Sequence, residues 1–146
     1  MSEVSESTIT IDAPVADVIA VVVDLPKYPE WASSIKRIEV LENDAEGRVS
    51  KAKLTVDAGP MRDTVTLEYD WSKSPGELSW SLLDAEFLTA MDGAYIVAES
   101  DADSTAVTYR LKVDVAMPML AMLKRKAEQA VIDVALKELK KRVEQG

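Results

Sequence analysis

Hydrophobic and polar residues alternate along much of this chain, and the alternation locates its strands. Over residues 48–58, Ala52, Leu54, Val56 and Ala58 share one face and Lys51, Lys53, Thr55 and Asp57 the other, as a half-buried antiparallel strand requires. Over residues 61–71 the row Met61, Asp63, Val65, Leu67, Tyr69 and Trp71 opposes Arg62, Thr64, Thr66, Glu68 and Asp70. Looser alternation marks further strands at 4–11, 35–41, 78–82, 87–98 and 107–115. Turn residues punctuate them at 43–47, Gly59-Pro60, Ser74-Pro75-Gly76, Asp84-Ala85 and 101–104. About seven strands at hairpin spacing, with no helix between the third and the seventh, predict an antiparallel meander.

Two stretches change period. Val15, Val18, Ile19 and Val22 recur at helical spacing, and Pro14 suits a first helical position because its missing N–H costs nothing there. The run Val21-Val22-Val23 also fits a buried strand; Pro14, Asp17 in the first turn and the stop at Leu25-Pro26 favour helix. Lys27-Tyr28-Pro29-Glu30-Trp31 reads as a turn or single helical turn that sets down two aromatic side chains. From Pro118 the chain runs to Gly146 without Gly or Pro, about 28 residues or roughly 40 Å of helix. This helix carries two apolar stripes, Leu120, Leu123, Ala127, Val131 and Val134 on one side and Ile132, Leu136, Leu139 and Val143 on the other. One sheet needs one stripe, so the second requires a cover: the first helix or a loop, a cavity, or a partner.

The length of 146 residues fits one domain, spanning the whole chain. Its net charge of −9 is unevenly placed: residues 118–146 hold seven basic and four acidic side chains, +3, and the ten basic and 22 acidic side chains before them give −12. An acidic body repels phosphate backbones, so nucleic acid is not an expected partner. There is no Cys and no His, which removes thiol nucleophiles, disulfides, zinc fingers, Ser-His-Asp triads and imidazole acid-base chemistry. No glycine-rich phosphate loop, paired-carboxylate motif or metal-ligand cluster stands out, and no cofactor is expected. The opening MSEVSESTITID lacks a basic, apolar signal, and no stretch approaches the ~18 apolar residues of a membrane span, so a cytoplasmic protein, monomeric or weakly dimeric, is the expectation.

Ile11-Asp12-Ala13-Pro14 entering the first helix, and Asp24-Leu25-Pro26-Lys27-Tyr28-Pro29-Glu30-Trp31 leaving it, resemble the opening of the polyketide cyclase/dehydrase and coenzyme Q-binding branch of the START-like superfamily (SRPBCC). Gly93, Thr105-Ala106-Val107-Thr108-Tyr109 and Ala135-Leu136-Lys137-Glu138-Leu139-Lys140 are similar to later blocks of that branch, and the resemblance covers essentially the whole chain. It implies an α+β helix-grip fold: a seven-stranded curved antiparallel sheet wrapped around a long C-terminal helix, with two short helices after strand 1. It also implies a ligand cavity between sheet and helix, in a superfamily whose members bind lipids, polyketides, quinones, hormones or ribosomal partners.

If the concave face carries the apolar rows, the wall draws on Leu54, Val56, Val65, Leu67, Tyr69, Leu78, Trp80 and Leu82, with Met91 and Tyr95, and Met119, Leu120 and Leu123 close it. A plain sheet core also explains these residues. Tyr69, Trp80 and Tyr95 are the stronger candidates, because a buried Tyr or Trp brings a polar atom that needs a partner. Asp63 is the odd member of its apolar row. It must pair with a cation such as Arg110 or Lys53, sit at the strand's open end, or act on a ligand. Met117, Met119 and Met122 would suit a cavity mouth or ordinary core filling. Lys124, Arg125 and Lys126 stand near the helix N-terminus, where positive charge opposes the macrodipole. They meet the acidic body, an anionic head group, or transiently a membrane surface.

Binding of a hydrophobic small molecule is therefore the first expectation. A cyclase or dehydratase using substrate orientation and proton transfer by Asp63, Tyr69 or Tyr95 is the second. A protein-interaction or ribosome-associated role is the third. Both ligand readings require interior space: a filled interior with no void above ~100 Å³ would sink both, since small-molecule pockets measure ~300 Å³ or more.

Overall fold

The computed structural model describes residues 4–58, 62–116 and 120–145. Strands β1 (Ser5–Ile11), β2 (Ile35–Asn43), β3 (Val49–Asp57), β4 (Arg62–Asp70), β5 (Glu77–Ala85), β6 (Leu88–Asp101) and β7 (Ser104–Val115) form one antiparallel sheet in the order β1-β7-β6-β5-β4-β3-β2. The meander from β2 to β7 follows the hairpin spacing. The β1–β7 pair, with Ile9 opposite Val107, sets the first strand beside the last and is the one pairing local spacing does not foretell. At the β2–β3 turn Asp44 accepts hydrogen bonds from the Glu46 and Arg48 N–H groups, and Gly47 takes the left-handed φ of 82° that closes the turn.

Helix α1 (Val15–Val22) buries Val18 and Val22, so the Val21-Val22-Val23 run is helical up to Val22. A 3-10 turn, Leu25–Lys27, and the single turn α2 (Tyr28–Trp31) follow, each with Pro near its start. Tyr28 packs on Trp31, centroid to centroid 5.0 Å, and donates its hydroxyl to the Val22 carbonyl at 2.5 Å, satisfying an end of α1.

The long helix α3 (Ala121–Gln145) lies against β1 and β7 through Ile132, Ala135, Leu136 and Leu139, all buried. Glu128 is fully buried on the same face. Its carboxylate accepts the Ser5 hydroxyl at 2.8 Å and the Val113 N–H at 2.7 Å, two residues beyond the Ser5–Leu111 pair that ends the β1–β7 ladder. An acid inside an apolar stripe is thus the acceptor for a strand N–H that has run out of partner strand.

The other stripe is not covered as a whole. Val131 is half-buried, but Leu120, Leu123 and Val134 are 73%, 52% and 45% exposed, so neither α1 nor a loop shields them. The basic helix and acidic body do meet, through Lys124–Asp114 at 2.9 Å and Arg142–Glu30 at 3.0 Å.

Candidate functional site

The sheet's concave face and α3 enclose a cavity walled by Leu54, Val56, Val65, Leu67 and Met91 together with Tyr28, Tyr69, Trp80, Tyr95 and Tyr109. The aromatic cluster is built from cross-strand neighbours. Tyr69 on β4 faces Trp80 on β5, Trp80 faces Gly93 on β6, and Tyr95 on β6 faces Tyr109 on β7. Gly93 lacks the Cβ that would collide with the indole, so Trp80 lies flat over the β6 backbone. Its ring then stands 6.2 Å from Tyr69, 5.6 Å from Tyr95 and 5.7 Å from Tyr109, tilted or edge-on, as aromatic quadrupoles prefer. Tyr95 and Tyr109 are 4.7 Å apart, edge to face.

Tyr28 uses its hydroxyl on Val22. The hydroxyls of Tyr69, Tyr95 and Tyr109, and the Trp80 indole N–H, have no hydrogen-bond partner among the described residues, and none is sealed into the protein interior. Burial pushes the Tyr69, Tyr95 and Tyr109 phenols above their ordinary pKa, reinforced at Tyr69 and Tyr95 by the neighbouring Tyr109. They stay protonated at neutral pH and offer hydrogen bonds without changing charge.

The void itself is about 60 Å³, below both the ~300 Å³ of a small-molecule pocket and the ~100 Å³ floor expected of either ligand reading, so in this closed form the cavity does not admit a ligand. Ser34 and Val131 border it, and the same two residues border an open groove of about 290 Å³ shared with Ser33, Lys36, Ala130 and Val134. The side chains at this junction thus separate a tight, aromatic interior from the surface. A larger groove of about 540 Å³ lies between α2 and the end of α3, but its wall is mostly charged and Arg142 and Glu30 pair across it.

Of the residues expected at the site, Val65, Leu67, Tyr69, Trp80, Met91 and Tyr95 line the cavity. Met119 lies outside the described residues. Leu120 and Leu123 do not close the cavity: α3 buries its Ile132–Leu139 face, which turns these two side chains into solvent. Leu78 and Leu82 pack in or against the core without lining the void. Asp63 is brought in by burial but serves the backbone. Its carboxylate accepts the N–H groups of Thr64, Glu86, Phe87 and Leu88 at 2.7–3.0 Å and so holds the β5–β6 connection. Burial pushes its pKa up, but these four donors outweigh that and hold it below the ordinary carboxylate value. Neither Arg110, which pairs with Glu6, nor Lys53 is its partner.

A sequence model of the family described as polyketide cyclase / dehydrase and lipid transport matches residues 2–144. The chain belongs to this family. Among solved structures, this polyketide cyclase/dehydrase family member is similar to a START superfamily protein from Mycobacterium smegmatis, at 22% identity over 97% of each chain with a TM-score of 0.92. It is also similar to the Zhui aromatase/cyclase from Streptomyces sp. R1128, at 20% identity over 98% of this chain and 94% of that one with a TM-score of 0.76. Norcoclaurine synthase from Thalictrum flavum, solved with dopamine and hydroxybenzaldehyde, shares 13% identity over 99% and 88% of the two chains, with a TM-score of 0.73. Identities this low establish the helix-grip fold and not a shared substrate. No curated protein matches the sequence.

Tyr28, Ser34, Ile35, Tyr109, Leu111 and Val131 are wall residues of this family member that the sequence reading did not place at the site. The signal for Tyr109 was present, since it falls in the buried row Val107, Tyr109, Leu111, Val113 of β7. For Tyr28 there was none, because a one-turn helix between prolines has no period. Among the described residues no cluster of His, Cys, Asp or Glu has the geometry to hold a metal, and no helix is long and apolar enough to cross a membrane.

Proposed function

We propose that the protein binds a small hydrophobic molecule carrying polar atoms, held between the sheet and α3 and hydrogen-bonded by Tyr69, Tyr95 and Tyr109. The observation that carries this reading is the set of unpartnered phenol hydroxyls in an otherwise apolar wall. These hydroxyls are not sealed into the interior, so a guest with carbonyl or hydroxyl groups can take up hydrogen bonds that phenylalanine at the same positions could not make. Because the void is about 60 Å³, the guest must displace the Ser34–Val131 boundary and draw on the adjoining groove.

Binding is favoured over catalysis by the protonation states. Asp63 is engaged by four backbone donors, the phenols are held neutral, and the chain has no His or Cys, so the cavity wall lacks a group poised to exchange a proton near neutral pH. The likeness to an aromatase/cyclase supports a second reading, in which the same phenols orient and polarise a poly-keto chain.

Native mass spectrometry of protein purified from its own host tests the first reading. The expected result is a retained hydrophobic molecule, lost when Tyr95 and Tyr109 are both changed to Phe. No retained mass, together with no thermal shift against quinones, aromatic polyketides and fatty acids, would sink it. Turnover of a poly-keto substrate that falls in the Tyr95→Phe variant would favour the second reading.

A further inference from the structure

We propose that the outward face of α3 docks on an anionic lipid surface and sets the cavity mouth against it. At ~100° per residue, the side of α3 opposite the buried Ile132–Leu139 face carries Leu123, Lys126, Ala130, Val134, Lys137 and Lys141, all exposed. These span 19 residues, a rise of about 27 Å along the helix. Met122, 68% exposed, borders them. Helices that lie in a lipid interface combine apolar side chains that dip in with lysines that meet the head groups, and this exposed face carries both kinds.

Charge decides the kind of surface. Of the acids bordering the stripe, Glu144 is ion-paired with Lys140, whereas Asp133 and Glu138 accept hydrogen bonds from neutral donors, the Gln129 amide and the Ser33 N–H, and keep their charge. The three lysines Lys126, Lys137 and Lys141 outnumber these two acids, so the face is locally positive on a chain whose net charge is −9. Screening over ~8–10 Å at physiological salt lets the local sign govern contact. Ala130 and Val134 belong both to this face and to the groove beside the cavity, so docking would bring the mouth to the bilayer.

Flotation with vesicles of phosphatidylcholine alone, and of phosphatidylcholine mixed with phosphatidylglycerol, tests this without any cavity ligand, so its outcome is separate from that of the binding reading. Binding should require the anionic lipid and weaken with salt. Lys126→Glu should lower it at least about fivefold, since each lysine near an anionic bilayer supports roughly that factor. Leu123→Asp should abolish it, with unchanged circular dichroism and melting in both variants because both positions are exposed. The proposal is overturned if anionic vesicles capture nothing, or if folded Lys126→Glu and Leu123→Asp bind as the parent does. It is also overturned if light scattering shows a dimer that Leu123→Asp dissociates, which would assign the face to a second copy of the chain.

Discussion

Asp63 shows how one side chain can look like chemistry and serve architecture. Three N–H groups at the β5–β6 connection and that of the adjacent Thr64 converge on it, so Asp63→Asn, which keeps the shape and halves the acceptor capacity, should cost about 2–3 kcal/mol at neutral pH by urea denaturation. The folded pKa is lowered, so this contribution is fully present above the unfolded carboxyl value of about 3.9 and drains as pH falls through the lower folded value. The gap between parent and variant should therefore close below about pH 4; a gap constant down to the acid transition would contradict the assignment. Gly93 is the complementary case, a residue defined by what it lacks. Gly93→Ala should cost about 1–3 kcal/mol by driving a methyl into the Trp80 indole, and most of that loss should disappear when the change is made in a Trp80→Ala background.

Helix α3 is where one element meets several demands. Its buried face is apolar except at Glu128, whose two hydrogen bonds link the helix to β1 and β7 at once. Glu128→Ala should destabilise the protein by about 3 kcal/mol and speed hydrogen exchange at the Val113 amide, because an uncapped strand N–H then remains in the interior. Glu128→Gln, which keeps one acceptor, should recover part of both effects. Loss of stability without faster exchange at Val113 would mean that packing, and not the hydrogen bond, is what Glu128 supplies. The ion pairs at the helix ends are partly exposed and should matter little singly, within about 1 kcal/mol each.

For the whole molecule, the absence of His and Cys has a direct consequence: no side chain with an ordinary pKa titrates between about pH 5 and 8, and the cavity phenols are pushed further out of that range. Ligand retention and stability should both be flat across those pH values, and a step in retention near neutrality would point to a titrating group that this cavity does not have. At this scale the division between sequence and structure is clear. Period-2 alternation in β3, β4 and β7, proline-bounded α1 and α2 and the Gly- and Pro-free C-terminal segment determined the elements, the antiparallel meander and most of the cavity wall, because burial on one face of a strand or helix is written at a fixed spacing. Spacing does not say which of two stripes on one helix is buried. Only the packing of α3 across β1 and β7 decided that Ile132, Leu136 and Leu139 go inward and that Leu120 and Leu123 do not. Nor does it say what a buried acid holds, since apart from the adjacent Thr64 N–H the partners of Asp63 and Glu128 lie 15 or more residues away. The size of the cavity is likewise tertiary: Trp80 folded over Gly93 among three tyrosines leaves about 60 Å³, a volume set by how rings from four strands fill the same space.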